Sequence, residues 1–434
     1  MKKMLVVAGS LACSVSYAAS PVFQPIGSSF TLGTSANPAS LSTSLTNPAA
    51  PFLMVDTEAG DRFRFGIIGP GGFGYEMGQV DSLQDQIDEL DELLDEDVTS
   101  ASQAQTLQDK ANSIVASLGD DANGKLMTSG QVPVFPLIYK HPEYGAFSID
   151  MSLSAVGQGK FLDDDIDIVV TGSNYTLNTN SSVYVKSGVD LNLGLGYSKD
   201  VWSNQYGMLL TGAKVNLHSV TLSKGLMHLA SSDDDSGDAF SDSLADHQET
   251  SFGVGLDVGA IWVSNYYQVG FTASNLNEPS FEYGSLNETC SSLETSKQAS
   301  CYAALEFAGE GEIALDETHT MERQFTLDAS VYILDQQLAL AGSYEMNEIS
   351  DLIGDKYQWA TIGTSYYSKN VWIPAVRVGY KKNMAGTELS YLTLGATLFK
   401  RLNFDLAYGL ESIEVDGDEV PRSLYLSAGI ESAF

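Results

Sequence analysis

A chain of 434 residues with 40 Gly, 21 Tyr and 18 Phe, and a mean hydropathy near zero, is long for one ordinary domain but suits a large β-barrel. Its net charge of −34 excludes nucleic acid as a direct partner, because phosphate binding depends on Lys and Arg; it admits divalent cations at acidic loops, or basic surfaces. No segment after the amino terminus approaches the roughly 18 unbroken apolar residues of a membrane helix, yet a closed barrel hides its apolar surface in alternate positions.

The amino terminus reads as a secretory signal over residues 1–19. Lys2 and Lys3 precede the apolar run Met4 to Ala12, and Ser16-Tyr17-Ala18 places small residues before a cleavage point near Ala18 or Ala19. A lipoprotein signal at Cys13 is the rival reading, weakened by Ser10 where such signals usually carry Leu. Residues 20–60 form a small-residue leader, expected as a plug, and the barrel is expected over 61–434.

Strands announce themselves by period-two alternation, which puts one set of side chains on each face. Phe63, Phe65 and Ile67 open the series. An insertion over 79–119 interrupts it. Asp81 to Asp97 carries nine acidic residues and no basic one, with Leu83, Ile87, Leu90 and Leu94 at helical spacing. Ala104, Leu107, Ala111, Ile114 and Leu118 repeat that spacing, predicting a helical hairpin whose stripes close on each other or offer a groove to a partner. Asp120, Asp121, Asn123 and Gly124 faintly imitate a calcium loop, but Gln131 stands where the twelfth-position Glu should be, so they read as a turn. Gln131 to Lys140 is left out of the strands because Pro133 and Pro136 would each remove a ladder donor.

Alternation resumes at Phe147, Ile149, Met151 and Leu153, and its longest face runs Val183, Val185, Val189, Leu191, Leu193, Leu195 and Tyr197. Further faces follow at Leu209 to Leu217, Phe252 to Trp262, Val269 to Ala273, Leu327 to Ile333, Val376 to Tyr380 and Leu392 to Leu398. Leu402, Phe404, Leu406, Tyr408 and Leu410, then Leu424, Leu426, Ala428, Ile430 and Phe434, complete them. A terminal strand ending on an aromatic resembles the assembly signal of outer-membrane barrels, which implies the barrel assembly machinery and outer-membrane lipid as partners. Tight connections at 199–204, 264–265, 335–337, 368–370 and 400–401 alternate with long ones at 222–249, 276–321, 347–356 and 413–421. Because such barrels have short periplasmic turns and longer outer loops, Phe434 falls in the periplasm and every acidic insert outside. The fold expected is an all-β, transmembrane antiparallel barrel of about 14 strands, 12 or 16 being admissible because 284–309 could hide a hairpin. Trp202, Trp262, Tyr266, Tyr267, Tyr366, Tyr367 and Trp372 lie near strand ends, as an aromatic girdle would.

Cys290 and Cys301 close a short polar loop and are expected as a disulfide, and no CxxC supports a redox site. The acidic loop Asp233, Asp234, Asp235, Asp238, Asp242, Asp246 and Glu249 is expected to be disordered without ions. Inward parity collects Arg62, Arg64, Asp150, Lys186, Asp190, Lys214, His218, Asp257, Asp328, Arg377, Asp405 and Glu411, which would form a charge ladder bracing the lumen or line a polar conduit. The five His, at 141, 218, 228, 247 and 319, sit in no nucleophile motif, and GxSxG, HExxH and phosphate loops are absent, so no enzyme, cofactor or metal centre is expected.

One resemblance is carried by short motifs. The leader Ser29 to Ala39 ends in Asn37-Pro38-Ala39, and Asn47-Pro48-Ala49 follows. This doubling, with Ala273-Ser274-Asn275-Leu276-Asn277-Glu278-Pro279, resembles the long-chain fatty-acid transporter (FadL-like) barrel superfamily. With Val134-Phe135-Pro136-Leu137 and the acidic hairpin, the chain most resembles the exported family named for the conjugal-transfer protein TraF, as distinct from its thioredoxin-like namesake. The resemblance implies an outer-membrane location, an amino-terminal plug and a link to plasmid transfer. The function expected is a non-enzymatic scaffold or plug-gated conduit with an unknown surface or transfer partner, or else a FadL-like transporter or porin for small hydrophobic molecules.

Overall fold

The computed structural model describes residues 27–79, 83–94, 96, 98, 100–171, 174–229, 244–334, 336–415 and 417–433. The signal 1–19, the start of the leader, Phe434 and the acidic positions Asp233 to Asp242 lie outside the described residues.

Fourteen antiparallel strands close on themselves. In chain order they are β1 (Phe63–Met77), β2 (Asn123–Gln131 and Leu137–His141), β3 (Gly145–Leu162), β4 (Ser182–Asn204), β5 (Gly207–His228), β6 (Gln248–Val263) and β7 (Tyr267–Ser274). They continue as β8 (Gln324–Ile333), β9 (Leu338–Glu345), β10 (Trp359–Tyr366), β11 (Ala375–Asn383), β12 (Ser390–Leu398), β13 (Leu402–Gly409) and β14 (Ser423–Ala433). Fifteen ladder segments make the sheet, and two of them share the β2 position. Closure comes from β1, where Tyr75 faces Leu126 of β2 and Leu424 of β14.

Residues 131–140 enter the sheet despite Pro133 and Pro136. Gln131 pairs with Ser152, and Leu137 to His141 pair with β3 while Tyr139 also pairs with Phe63. The two prolines interrupt the ladder only over 132–136, then the strand resumes.

Alternation holds around the wall. Phe73, Leu195, Leu217, Val254, Val376 and Leu426 are exposed on the outside, where hydrocarbon solvates them, while Arg64, Asp150, Asp190, Arg377 and Asp405 are buried on the inside. Val183 and Val185 share the outward parity but lie above the belt, covered by Leu244. Strands β5 and β6 also run farther than the sequence suggested: Leu222 pairs with Glu249 instead of beginning a loop. The girdle gathers at the short-turn end, where Trp202 and Trp262 lie 5.6 Å apart. Tyr367 departs from it, turning its hydroxyl inward to Arg377.

The long-loop end carries an ordered cap. Helices α1 (Leu83–Leu94) and α2 (Ala101–Asp121) close on each other through Leu90, Leu93, Leu107, Ala111 and Leu118. Phe161, Ile166 and the outer hairpin Asp167–Thr171/Asn174–Asn178 complete that core, so the stripes are used internally. Asp120 and Asp121 end α2 and Asn123 starts β2, so no calcium loop forms. Where a hidden hairpin was admitted within 284–309 there is instead a helix, α3 (Thr295–Glu310), packed by Phe307 and Ala304 on Leu226 and Leu162. Cys301 on α3 is disulfide-bonded to Cys290 in the turn before it.

Candidate functional site

The site is the lumen, and the chain itself fills both of its ends. Residues 27–55 lie inside the short-turn half. Their conformation follows from the doubled Asn-Pro-Ala. Asn37 Oδ1 accepts from Ala39 N and Asn47 Oδ1 accepts from Ala49 N, both at 2.9 Å. Each Asn carbonyl also accepts from the amide three residues on, Ser40 or Ala50. This is an Asx turn used twice, with Pro fixing the first residue inside it. The second turn lies against bare backbone: a Cβ on Gly212 would meet Pro48 O, and one on Gly259 would meet Asn47 Oδ1, each at 2.0 Å.

The predicted ladder is a set of separate clusters. One joins the inner segment to the wall. Arg377 contacts Asp405 Oδ1 at 2.9 Å with side chains 0% and 1% exposed, and donates to Thr397 Oγ1 at 2.7 Å. Thr397 donates to Asn403, Asn403 to Glu431, and Glu431 holds Arg64 at 2.7 Å. Glu431 also accepts from Leu41 N, while Arg64 donates to the carbonyls of Pro38 and Met54. A second cluster pairs Asp150 with Lys214 at 2.9 Å, and a third pairs Asp190 with His218 at 3.0 Å. Lys186 reaches up to Glu317 at 2.5 Å.

Four ladder residues form no ion pair with another described residue. Arg62 precedes β1 and is exposed, because the inward parity begins only where the strand does. Glu411 instead accepts from Ser390 N, satisfying a strand-end amide. Asp257 accepts from Asn216 Nδ2 at 2.6 Å and from Asn275 N at 2.8 Å. Asp328 is buried beside Ser35 and Gln268 with no ion pair to a described residue.

A second seal, missed in the sequence, closes the long-loop half. The loop between β9 and β10 folds into the barrel mouth, where Leu352 and Ile353 are buried against Leu222 and Phe281. Lys125 on β2 grips that loop at Asp351 (2.5 Å), Asp355 (2.9 Å) and the Tyr357 hydroxyl (2.5 Å). Glu76 on β1 accepts from Tyr425 at 2.5 Å, Tyr391 at 3.0 Å and Tyr357 at 3.2 Å. Beside them Lys381 sits 3.8 Å over the Trp359 ring. Inward parity on β14 and β11 would have flagged Tyr425, Glu431 and Lys381; nothing local marks 347–357 as an inward loop.

Above the mouth, His319 is buried with its Nε2 lacking a hydrogen-bond partner. Burial first, then Lys186, pushes its imidazole down to about 4, against the pull of Glu317. An unfolded imidazole titrates near 6.5, so the unfolded cap binds a proton first as pH falls. Stability present above about pH 6.5 is therefore lost between 6.5 and 4, by about 3 kcal/mol. Limited proteolysis at pH 7.5 and 4.5 should show the cap loosening in acid, and His319→Phe should remove most of that difference.

Among the described residues no group of three or more His, Cys, Asp or Glu is placed to hold a metal ion. A closed fourteen-strand wall, apolar outside and polar inside, defines an outer-membrane β-barrel. Residues 44–345, more than half of the chain, match the family described as F plasmid transfer operon, TraF, protein, and the chain belongs to that family. No curated protein matches it. Solved structures similar to it include the TodX deltaS2S3 mutant monoaromatic hydrocarbon channel, at 12% identity over 93% of this chain and 97% of that one, with a TM-score of 0.48. The Ralstonia pickettii toluene transporter TbuX follows at 13% identity over 95% and 97%, TM-score 0.44. A Pseudomonas aeruginosa FadL homologue is 12% identical over 97% and 98%, TM-score 0.41.

Proposed function

We propose that this protein is a non-enzymatic outer-membrane scaffold of conjugal transfer, exported through a cleaved signal peptide, whose acidic outer cap engages a transfer or surface partner. The observation that carries this reading is the division of labour along the barrel. The chain seals its own lumen twice, while the outer insertions build packed cores of their own. A cap with its own core can hold a fixed surface toward a partner, and its excess of carboxylates suits a basic one. Divalent cations at the acidic loops would bridge carboxylates to the same end. Deleting 79–119 tests it: plasmid transfer from donors carrying the variant should fall at least tenfold while the barrel stays heat-modifiable on gels. Undiminished transfer would sink the scaffold role.

A conduit for small hydrophobic molecules is the second reading. It is favoured by the apolar cluster inside the barrel that joins Phe30 of the inner segment to Met127, Val156, Phe281 and Trp359.

A further inference from the structure

One cross-strand row of the inner wall is built unlike the rest. Gln131 on β2 faces Ser152 on β3, Ser152 faces Asn192 on β4, and Asn192 faces His218 on β5. All four are buried, at 5%, 0%, 5% and 7% exposure. Each turns at least one polar atom inward that finds no hydrogen-bond partner: both amide atoms of Gln131, Ser152 Oγ, Asn192 Oδ1 and His218 Nε2. Asn216 Oδ1, two residues from His218, adds another.

Such groups are costly when left unmade, at about 1–3 kcal/mol each, so a permanently packed barrel would satisfy or replace them. A hydroxyl can rotate toward a neighbouring carbonyl; a planar amide or imidazole held by its wall cannot. Orphan amide and imidazole atoms of Gln131, Asn192, Asn216 and His218 thus gather on the neighbouring inner faces of β2, β4 and β5. The chemistry they ask for is neutral. The carboxylates beside the row already have partners: Asp190 is hydrogen-bonded to His218 Nδ1, Asp150 is paired with Lys214, and Asp257 accepts from Asn216 Nδ2. What remains is a mixture of acceptors, Asn192 Oδ1 and Gln131 Oε1, and donors, Gln131 Nε2 and Ser152 Oγ, which a polyol complements and a hydrocarbon does not. Three interstrand steps separate Gln131 from His218, a span of about 14 Å.

The row lies directly beneath the mouth loop. A Cβ on Gly188, two residues above Asp190, would meet Leu352 Cβ at 2.7 Å, and Leu352 and Ile353 pack on Leu222, four residues above His218. We infer that Gln131, Ser152, Asn192 and His218 form a binding row for a small neutral polyhydroxylated solute of mono- or disaccharide size, reached from the outer face when the loop over 347–357 lifts. Lys125, gripping Asp351 and Asp355, then sets how often the row is open. A latch that keeps the binding-competent state rare weakens apparent affinity by the same fraction.

Saturation-transfer NMR on the full-length protein in nanodiscs, with sucrose as the probe and toluene as the apolar comparator, tests this. The wild type should give a saturable sucrose signal. Lys125→Met, and separately the Asp351→Asn/Asp355→Asn pair, should tighten its apparent Kd at least tenfold. Gln131→Met with Asn192→Leu should abolish the sucrose signal in a barrel that remains heat-modifiable. The inference is overturned if sucrose gives no signal in the wild type and both latch variants, if only toluene does, or if Gln131→Met/Asn192→Leu raises the melting temperature and leaves the sucrose signal intact.

Discussion

Arg377→Leu is expected to cost the barrel about 3–5 kcal/mol and to abolish its heat-modifiable band on gels. The guanidinium makes two contacts to Asp405 Oδ1, at 2.9 and 3.0 Å, and bonds to Thr397 and the Tyr367 hydroxyl. Leucine leaves Asp405 with no cation at a site where its side chain is 1% exposed. The charge then has neither water nor partner, and desolvation dominates. The companion variant separates this cause from simple loss of packing. Arg377→Leu with Asp405→Leu removes both charges, and most of the stability should return. If the double variant is as unstable as the single, unpaired charge is not the reason.

Glu431→Leu should release the inner segment from the lumen. Its carboxylate bonds Arg64, Leu41 N and Asn403 together, so its removal breaks a charged tie between wall and inner segment. Arg64 would keep its carbonyl partners but lose its counter-charge, at a cost again of about 3–5 kcal/mol. Ser44 is buried in the native lumen. A cysteine at that position should react with a bulky maleimide at least tenfold faster in Glu431→Leu than in the wild-type background. Equal rates would mean that the Asx turns and close backbone packing hold the segment without this carboxylate.

Much of the wall was legible because lipid outside and polar contents inside impose a strict parity. Strand count, loop alternation and the inward direction of Arg64, Asp150, Asp190, Arg377 and Asp405 all follow from that one constraint. Rules that act on single residues carried less far. Pro133 and Pro136 do break a ladder, yet the chain re-enters it at Leu137, a decision made by the neighbouring strands. Parity also extends past the membrane, so Val183 and Val185 read as lipid-facing although Leu244 covers them. Pairing partners were the least legible. Parity says that Asp257 and Asp328 point inward, but not that the first meets amides and the second forms no ion pair with a described residue. The second seal left no local trace at all. Asp351, Asp355 and Tyr357 sit in an ordinary acidic loop, and it folds inward because Lys125 stands across the lumen and Leu222 and Phe281 offer Leu352 and Ile353 an apolar bed.

The chain closes its own lumen at both ends. Conductance of the purified full-length protein in a planar bilayer measures this directly. The wild type should show no steady open level at neutral pH. Sustained, porin-like steps would contradict it, because a continuous aqueous path cannot coexist with both the inner segment and the folded mouth loop.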